Sequence, residues 1–419
     1  MSATRFEQRR IHGEAGFTIV ELLVASLIMI AITGAIFSLM NPARGAFAVQ
    51  PQVSDVQQRL RVGIDTIQKD LVMAGAGTYA GPIAGSLNNF MAPVMPYKAF
   101  GDAPLSSGPG TGSISVNPSD PELGIYFRDD AISLMYVPPT PSQTTIASPM
   151  PQPSAELKVN PQPNCPPAPQ AQLCGFDVGD RLIIYDQTGN WDVFNVTEVQ
   201  DAAAHLQHRR QTFSAAYAIG ANVTAIRTAS YYHYEDPANE VYQLRYFDGW
   251  DTDLPVVDNV VDLKFQYFGN PLPPMRTNIP LADPAGPWTT YGPKPPEVGA
   301  TYAGWPAGEN CTFQVVGGQQ VPRLAVIGAG GIGQVEITPA MLGDGPWCPE
   351  PGKVSRFDAD LLRVQRVRVT IRVQAADPSM RGPAGVLFAK GGTATDGKRF
   401  VPDQEISFDI SPRNMNLGR

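Results

Sequence analysis

The amino-acid sequence predicts an α+β protein in which a long N-terminal helix, half membrane anchor and half amphipathic, packs on antiparallel β-sheet with long Pro/Gly-rich loops. Three patterns carry this prediction: an apolar run near the N-terminus, a helical apolar period just after it, and strict two-residue alternation in later segments.

Residues 17–40 are apolar but for one charge, Glu21. At ~1.5 Å per residue the run is about 36 Å long, enough to cross the hydrocarbon of a bilayer. The preceding Met1–Gly16 is polar and carries Arg5, Arg9 and Arg10. It lacks the short apolar stretch and small-residue cleavage site of an ordinary secretory signal. Arg9–Arg10 hints at a twin-arginine signal, which the long unbroken apolar run fits poorly. The basic segment favours the cytoplasmic side and leaves the rest of the chain outside. A carboxylate within such a span costs several kcal/mol unless neutralised, which marks Glu21 as functional.

A break is expected at Asn41–Pro42 and Gly45, where the helix loosens. Beyond it Val53, Val56, Leu60, Ile64, Ile67, Leu71 and Ala74 recur in steps of three and four, one face of a helix. Gln57, Arg61, Asp65 and Gln68 fall off that face, and the pairs Asp55–Arg59 and Asp65–Lys69 suit an exposed helical surface. Gly75 and Gly77 end the pattern, so the helix is placed at 17–76, with 17–40 spanning the membrane.

The stretch GFTIVELLVA, residues 16–25, resembles the prepilin cleavage and methylation motif of type IV pilins and type II secretion pseudopilins. That motif has a charged leader ending in Gly, then Phe, then an acid at the fifth position of the mature chain. The resemblance implies a leader at 1–16, cut by a prepilin peptidase between Gly16 and Phe17, with N-methylation of Phe17. It further implies that Glu21 meets the N-terminal amine of a neighbouring subunit during assembly. The body would then be pilin-like over 77–419. Its segments FRDDAISLMYV, FDVGDRLIIYDQTGNWDVFNVTEV and PVVDNVVDLKFQYF are similar to those of PilW-like minor pilins. So is the C-terminal ISFDISPRNMNLGR, which contains Arg413–Asn414. The J-type minor pseudopilins share the same plan.

The body reads as β-strands. In VVDLKFQYF, Val261, Leu263, Phe265 and Tyr267 alternate with Asp262, Lys264 and Gln266. In RVRVTIRV, Val367, Val369, Ile371 and Val373 alternate with Arg366, Arg368, Thr370 and Arg372, and ISFDI points Ile406, Phe408 and Ile410 inward. Such alternation marks antiparallel strands with one solvated face. Further strands are expected at 131–137, 180–186, 192–199 and 240–247. Insertions are placed near 138–170 and 271–350; eleven prolines within 138–169 and ten within 271–306 mark extended loops or disorder, because proline cannot donate to a ladder.

Export would allow Cys165, Cys174, Cys311 and Cys348 to pair, and four cysteines permit three connectivities. Proximity favours Cys165–Cys174 and Cys311–Cys348. No CxxC-like spacing supports zinc.

Several motifs invite other chemistry. Gly328-x-Gly330-x-x-Gly333 has dinucleotide-loop spacing, but the QVEITPA that comes after it holds Pro339 and β-branched residues rather than a helical pattern, so a glycine-rich hairpin is expected. His205-x-x-His208 has ligand spacing but reads as a polar loop, and His233 as a strand residue; His12 lies in the leader. Asp248, Asp251, Asp253 and Asp258 cluster without the calcium-loop pattern. Arg363, Arg366, Arg368 and Arg372 read as a solvated strand face, since a net charge of −8 disfavours nucleic acid. No hydrolase motif occurs, and the expectation is no enzyme, no cofactor and no metal.

From the resemblance, the expected function is that of a minor pilin in type IV pilus assembly, at initiation or in a tip complex. The expected partners are other pilin subunits through the helix, the prepilin peptidase and the inner-membrane assembly platform. Before assembly the chain would sit in the inner membrane as a single pass with its body outside the cytoplasm. A minor pseudopilin of a type II secretion system and a membrane-anchored adhesin are the alternatives.

Overall fold

The computed structural model describes residues 16–77, 87, 91–96, 114–115, 126–163, 165–167, 171–186, 190–213, 215–249, 252–276, 289–301, 304–328, 331, 333–350, 356–395 and 399–416, with backbone alone at 41–46, 48, 114–115 and 126–127. The chain is an α+β protein: one long N-terminal helix followed by several antiparallel sheets.

Helix α1 runs from Ile19 to Met73, 55 residues, or about 80 Å at 1.5 Å per residue. The expected break at Asn41–Pro42 and Gly45 does not interrupt it. A proline removes one backbone donor and costs about 3 kcal/mol, which bends or strains a helix without having to end it. The helix stops at Met73, where Ala74 donates to Leu71 O at 3.3 Å and Gly75 takes φ +80°.

The two halves of α1 have different surroundings. Ile19–Met40 is long and apolar enough to cross a membrane, and none of it is buried against the body. From Val56 onward the predicted face is covered, with Val56, Leu60, Ile67, Leu71 and Ala74 buried. Gln57, Arg61, Asp65 and Gln68 are exposed, as the period requires, and Arg59 pairs with Asp55 at 2.9 Å.

Two sheets receive this face. The first orders its strands Val94–Met95, Ala131–Tyr136, Arg227–Asp236, Val241–Phe247 and Asp253–Asp258. The second orders Val335–Ile337, Val260–Gly269, Val364–Val373 and Gln404–Ile410. Only Asn259, at φ 62°, separates the last strand of the first sheet from the long strand of the second, so the two sheets meet there. The helix lies across the junction. A Cβ added to Gly63 would stand 2.9 Å from Ile371 Cδ1 of the second sheet and 3.5 Å from Val257 Cγ2 of the first.

Alternation holds on the central strands: Val261, Leu263, Phe265 and Tyr267 are buried, as are Val367, Val369, Ile371 and Val373. It weakens at the edge. Ile406 shares the core face with Ile371 but is 39% exposed, contrary to the inward placement expected from ISFDI. An edge strand has a neighbour on one side only, and there the face runs out of cover.

The proline-rich stretch after Val137 is not an extended loop. Gln143–Thr145 and Glu156–Lys158 pair with later strands to build a lobe of two small sheets, ordered Gln143–Thr145, Asn222–Ala225, Arg181–Tyr185, Trp191–Asn195 and Glu156–Lys158, His205–Gln207, Glu198–Gln200. The lobe has its own core, including Ile146, Leu157, Leu182, Phe194, Phe213 and Val223. Its prolines fall between short strands, where no ladder donor is needed.

The second insertion is likewise folded where it is described. Phe313–Val316 and Gln319–Pro322 form a hairpin, and Tyr291, Leu324 and Leu342 enter the main core. Arg363, 1% exposed, ties its start to its middle by donating from Nη1 to Pro271 O at 3.3 Å and from Nη2 to Ala325 O at 2.5 Å.

Candidate functional site

The residues singled out by the sequence converge at the head of α1. Gly16 and Phe17 precede the helix without regular structure, and Phe17 is 90% exposed. A Cβ placed on Gly16 would meet nothing within 4 Å, so the Gly16–Phe17 amide stands open on this side. The described residues begin at Gly16, and the rest of the leader, with His12, lies outside them.

Thr18 turns the extended chain into the helix. Its Oγ1 accepts from Glu21 N at 3.2 Å, while Glu21 Oε2 accepts from Thr18 N and Oγ1, each at 2.9 Å. This reciprocal pair is a capping box, and Thr18-x-x-Glu21 is its sequence signature. Glu21 therefore has a second use that its membrane setting alone does not suggest: it satisfies donors that the first helical turn leaves open. Both bonds fall on Oε2, so the other carboxylate oxygen lies outside the cap. The side chain remains exposed, surrounded on α1 by Ile19, Val20, Leu22 and Leu23, each more than half exposed.

Both disulfides favoured by proximity are formed. Cys165 bonds Cys174 across nine residues within the lobe, and Cys311 bonds Cys348 across 37 residues beside the second sheet.

The other constellations resolve into packing. His205 is a strand residue with Nδ1 3.1 Å from Glu156 Oε1, whereas His208 is fully buried and stacked on Phe213 at 4.2 Å. The polar loop expected there is thus a strand end closing on an aromatic core, and the two rings do not share a site. His233 is a buried strand residue with Nε2 2.8 Å from Val260 O. Arg366 and Arg368 pair with Asp409 of the neighbouring strand at 2.9 and 2.8 Å, and Arg372 with Asp403 at 3.0 Å. The strand face is solvated but its arginines are neutralised. Arg363 departs from that face altogether, buried against Asp360.

Among the described residues, no strand–turn–helix surrounds Gly328, Gly331 and Gly333; the next element is the strand Val335–Ile337, and Gly330 lies outside the described residues. In the aspartate cluster, Asp253 pairs with Arg245 at 2.9 Å and belongs to a strand, and Asp251 is also outside the described residues.

A trio that sequence spacing does not reveal is Asp344, Asp358 and Asp360, whose carboxylate oxygens approach within 4.8 Å. Burial and the neighbouring Asp360 push Asp358 up to about 8, and burial raises Asp360 to about 6 against the pull of Arg363. Asp358 accepts from Gly345 N at 2.7 Å and Asp360 N at 2.8 Å, and Asp360 faces Arg363. The three carboxylates offer one ligand oxygen each, short of the six to eight ligands calcium takes.

Comparison of the chain with family models, with curated proteins and with solved structures found no match to any of the three.

Proposed function

We propose that the chain is a minor pilin that takes part in type IV pilus assembly, at initiation or at the tip, after a prepilin peptidase removes Met1–Gly16. One observation carries the reading: an exposed Gly16–Phe17 junction opens a helix whose first 22 residues are apolar and bare, and whose last turns are buried in the body. A bare apolar surface of that extent needs a partner. The inner-membrane bilayer serves before assembly and neighbouring pilin helices serve afterwards, which makes the helix both anchor and filament contact.

Hydrolysis of the Gly16–Phe17 amide leaves a carboxylate on Gly16 and a new amine on Phe17. In the assembled bundle that amine, on an adjacent subunit, faces Glu21, and the buried opposite charges offset each other's desolvation. Thr18 supports Glu21 until then by holding Oε2. The body stays rigidly attached to α1, so the assembly platform moves helix and body as one piece.

Mass spectrometry of the N-terminus from the membrane fraction tests the reading. A mature chain beginning with methylated Phe17 is expected, and an uncut Met1 would leave only a tethered extracellular body. Glu21→Ala should insert normally and fail to assemble. Loss of exported hydrolases with pili intact in a deletion strain would assign the chain to a secretion pseudopilus instead.

A further inference from the structure

Within the lobe, the sheet face that Ile183 and Trp191 press into the main core turns polar toward its Gln143–Thr145 edge. Strand register sets Thr145, Asn222 and Tyr185 side by side in one row, and Gln143, Thr224 and Ile183 in the next row of the same face. Asn222 is 7% exposed and Thr224 1%, and Thr224 Oγ1 has no hydrogen-bond partner among the described residues. A buried hydroxyl left in that state is unfavourable, and a sheet built for stability alone would carry valine there.

These side chains floor a cavity of about 280 Å³ whose rim is the segment Asn160–Pro163. The rim is fixed in place. Asn160 Nδ2 donates to Thr145 Oγ1 at 2.8 Å, Gln162 Nε2 donates to Gln143 O at 2.9 Å, and the Cys165–Cys174 bridge comes directly after. A rim held this way loses little freedom when a ligand enters.

The described lining residues offer amides, hydroxyls, a phenol and two prolines, and none is charged. Phosphate and carboxylate ligands are recognised by arginine or lysine, and hard cations by carboxylates. Amides and hydroxyls both donate and accept, as the hydroxyls of a sugar do, while Tyr185, Pro161 and Pro163 supply carbon surface for its C–H faces. The volume sits near the lower end for ligand pockets. We infer that this cavity binds a neutral saccharide, and that Thr224 and Gln143 hydrogen-bond its hydroxyls. The inference rests on the lobe alone and holds whether or not α1 serves a filament.

The test uses the full chain in a zwitterionic detergent without a sugar headgroup, titrated with lactose, maltose, cellobiose and N-acetylglucosamine. Sialic acid and glucose 6-phosphate are the charged controls, with saturation-transfer NMR as the readout. At least one neutral sugar should bind, and Thr224→Val and Gln143→Ala should each weaken it by about tenfold or more. Gln143→Ala, at the strand edge, should leave the unfolding midpoint unchanged and decides the matter alone if Thr224→Val fails to fold. No binding by any neutral sugar at about 10 mM, stronger binding of the charged sugars, or wild-type binding by Gln143→Ala would overturn the inference.

Discussion

Tyr231 donates from Oη to Asp70 Oδ2 at 2.6 Å, and Tyr136 donates to the other carboxylate oxygen at 2.9 Å, so two neighbouring strands of the first sheet grip one side chain of α1. Tyr231 is 1% exposed, and the same hydroxyl also reaches Thr66 O at 3.3 Å. Apolar packing fixes the distance between helix and sheet; this grip fixes the helix's position along its axis.

Removing the carboxylate strands the Tyr136 phenol and leaves Tyr231 only its longer contact with Thr66 O. A buried polar group without a partner costs about 1–3 kcal/mol, so Asp70→Ala should destabilise the body by a few kcal/mol. Tyr231→Phe should cost about 1 kcal/mol less than Asp70→Ala, since the donor leaves together with its contacts and Tyr136 still bonds Asp70. Urea unfolding followed by tyrosine and tryptophan fluorescence measures both. Equal midpoints for Asp70→Ala and the wild type would show that the grip contributes nothing.

The helix lies close on the sheets at Gly63, where Ile371, Val257 and Leu244 all lie within 4 Å of a would-be Cβ. Gly63→Leu should therefore overpack the junction of the two sheets and cost about 1–3 kcal/mol. Gly63→Ala is the control, since its single methyl touches Val257 and Leu244 at ordinary distances, crowds only the movable end of Ile371, and gains about 1 kcal/mol of helix propensity in return. A Gly63→Leu protein as stable as the Gly63→Ala protein would show that the junction has room for the larger side chain.

Much of this arrangement is legible in the sequence, and the rest is hidden for identifiable reasons. The stripe from Val56 to Leu71 and the strands at Val260–Gly269 and Val364–Val373 come from periodicity, because one face of each is buried and the other wet. Ala131–Tyr136 is readable as a strand although both its faces are buried, since it is a short, largely apolar run bounded by Asp129–Asp130 and Pro138–Pro139. Periodicity says nothing of Asp70, which is set by partners 66 and 161 residues away in sequence. Of the lobe, Arg181–Tyr185 and Trp191–Asn195 are readable as strands, whereas Gln143–Thr145 and Glu156–Lys158 are hidden because each is three residues long and set among prolines. At the head of the helix, Glu21 is visible as an anomaly, while its partner Thr18 is readable only through the capping pattern.

His208 makes the lobe acid-sensitive. It is fully buried between Phe194 and Phe213, its Nδ1 faces the Gln211 carbonyl at 3.2 Å, and Nε2 has no partner among the described residues. Burial holds its pKa below the usual histidine value. The unfolded chain then takes up a proton near pH 6.5 that the folded lobe refuses. Stability is full above that pH and falls as pH drops from about 6.5 toward the folded value. His208→Phe should flatten the dependence of the lobe's unfolding midpoint between about pH 7 and pH 5. An unfolding midpoint that does not change over this range in the wild type would remove the basis for the assignment.

Asp358 acts in the opposite direction. Burial and Asp360 raise it from the ordinary carboxylate value to about 8, so the folded protein keeps a proton that the unfolded chain gives up near pH 4. Its contribution to stability is greatest at low pH and is lost progressively as pH rises from about 4 to about 8, a change of several kcal/mol at most. Asp358→Asn stays neutral throughout. It keeps one acceptor for Gly345 N or Asp360 N and gives up the other, so its stability at low pH should fall slightly below that of the wild type. Between about pH 5 and pH 8, however, its unfolding midpoint should hold steady while that of the wild type declines, and the two curves should cross. Parallel curves in a pH series of thermal melts would mean that Asp358 is ionised in the folded protein.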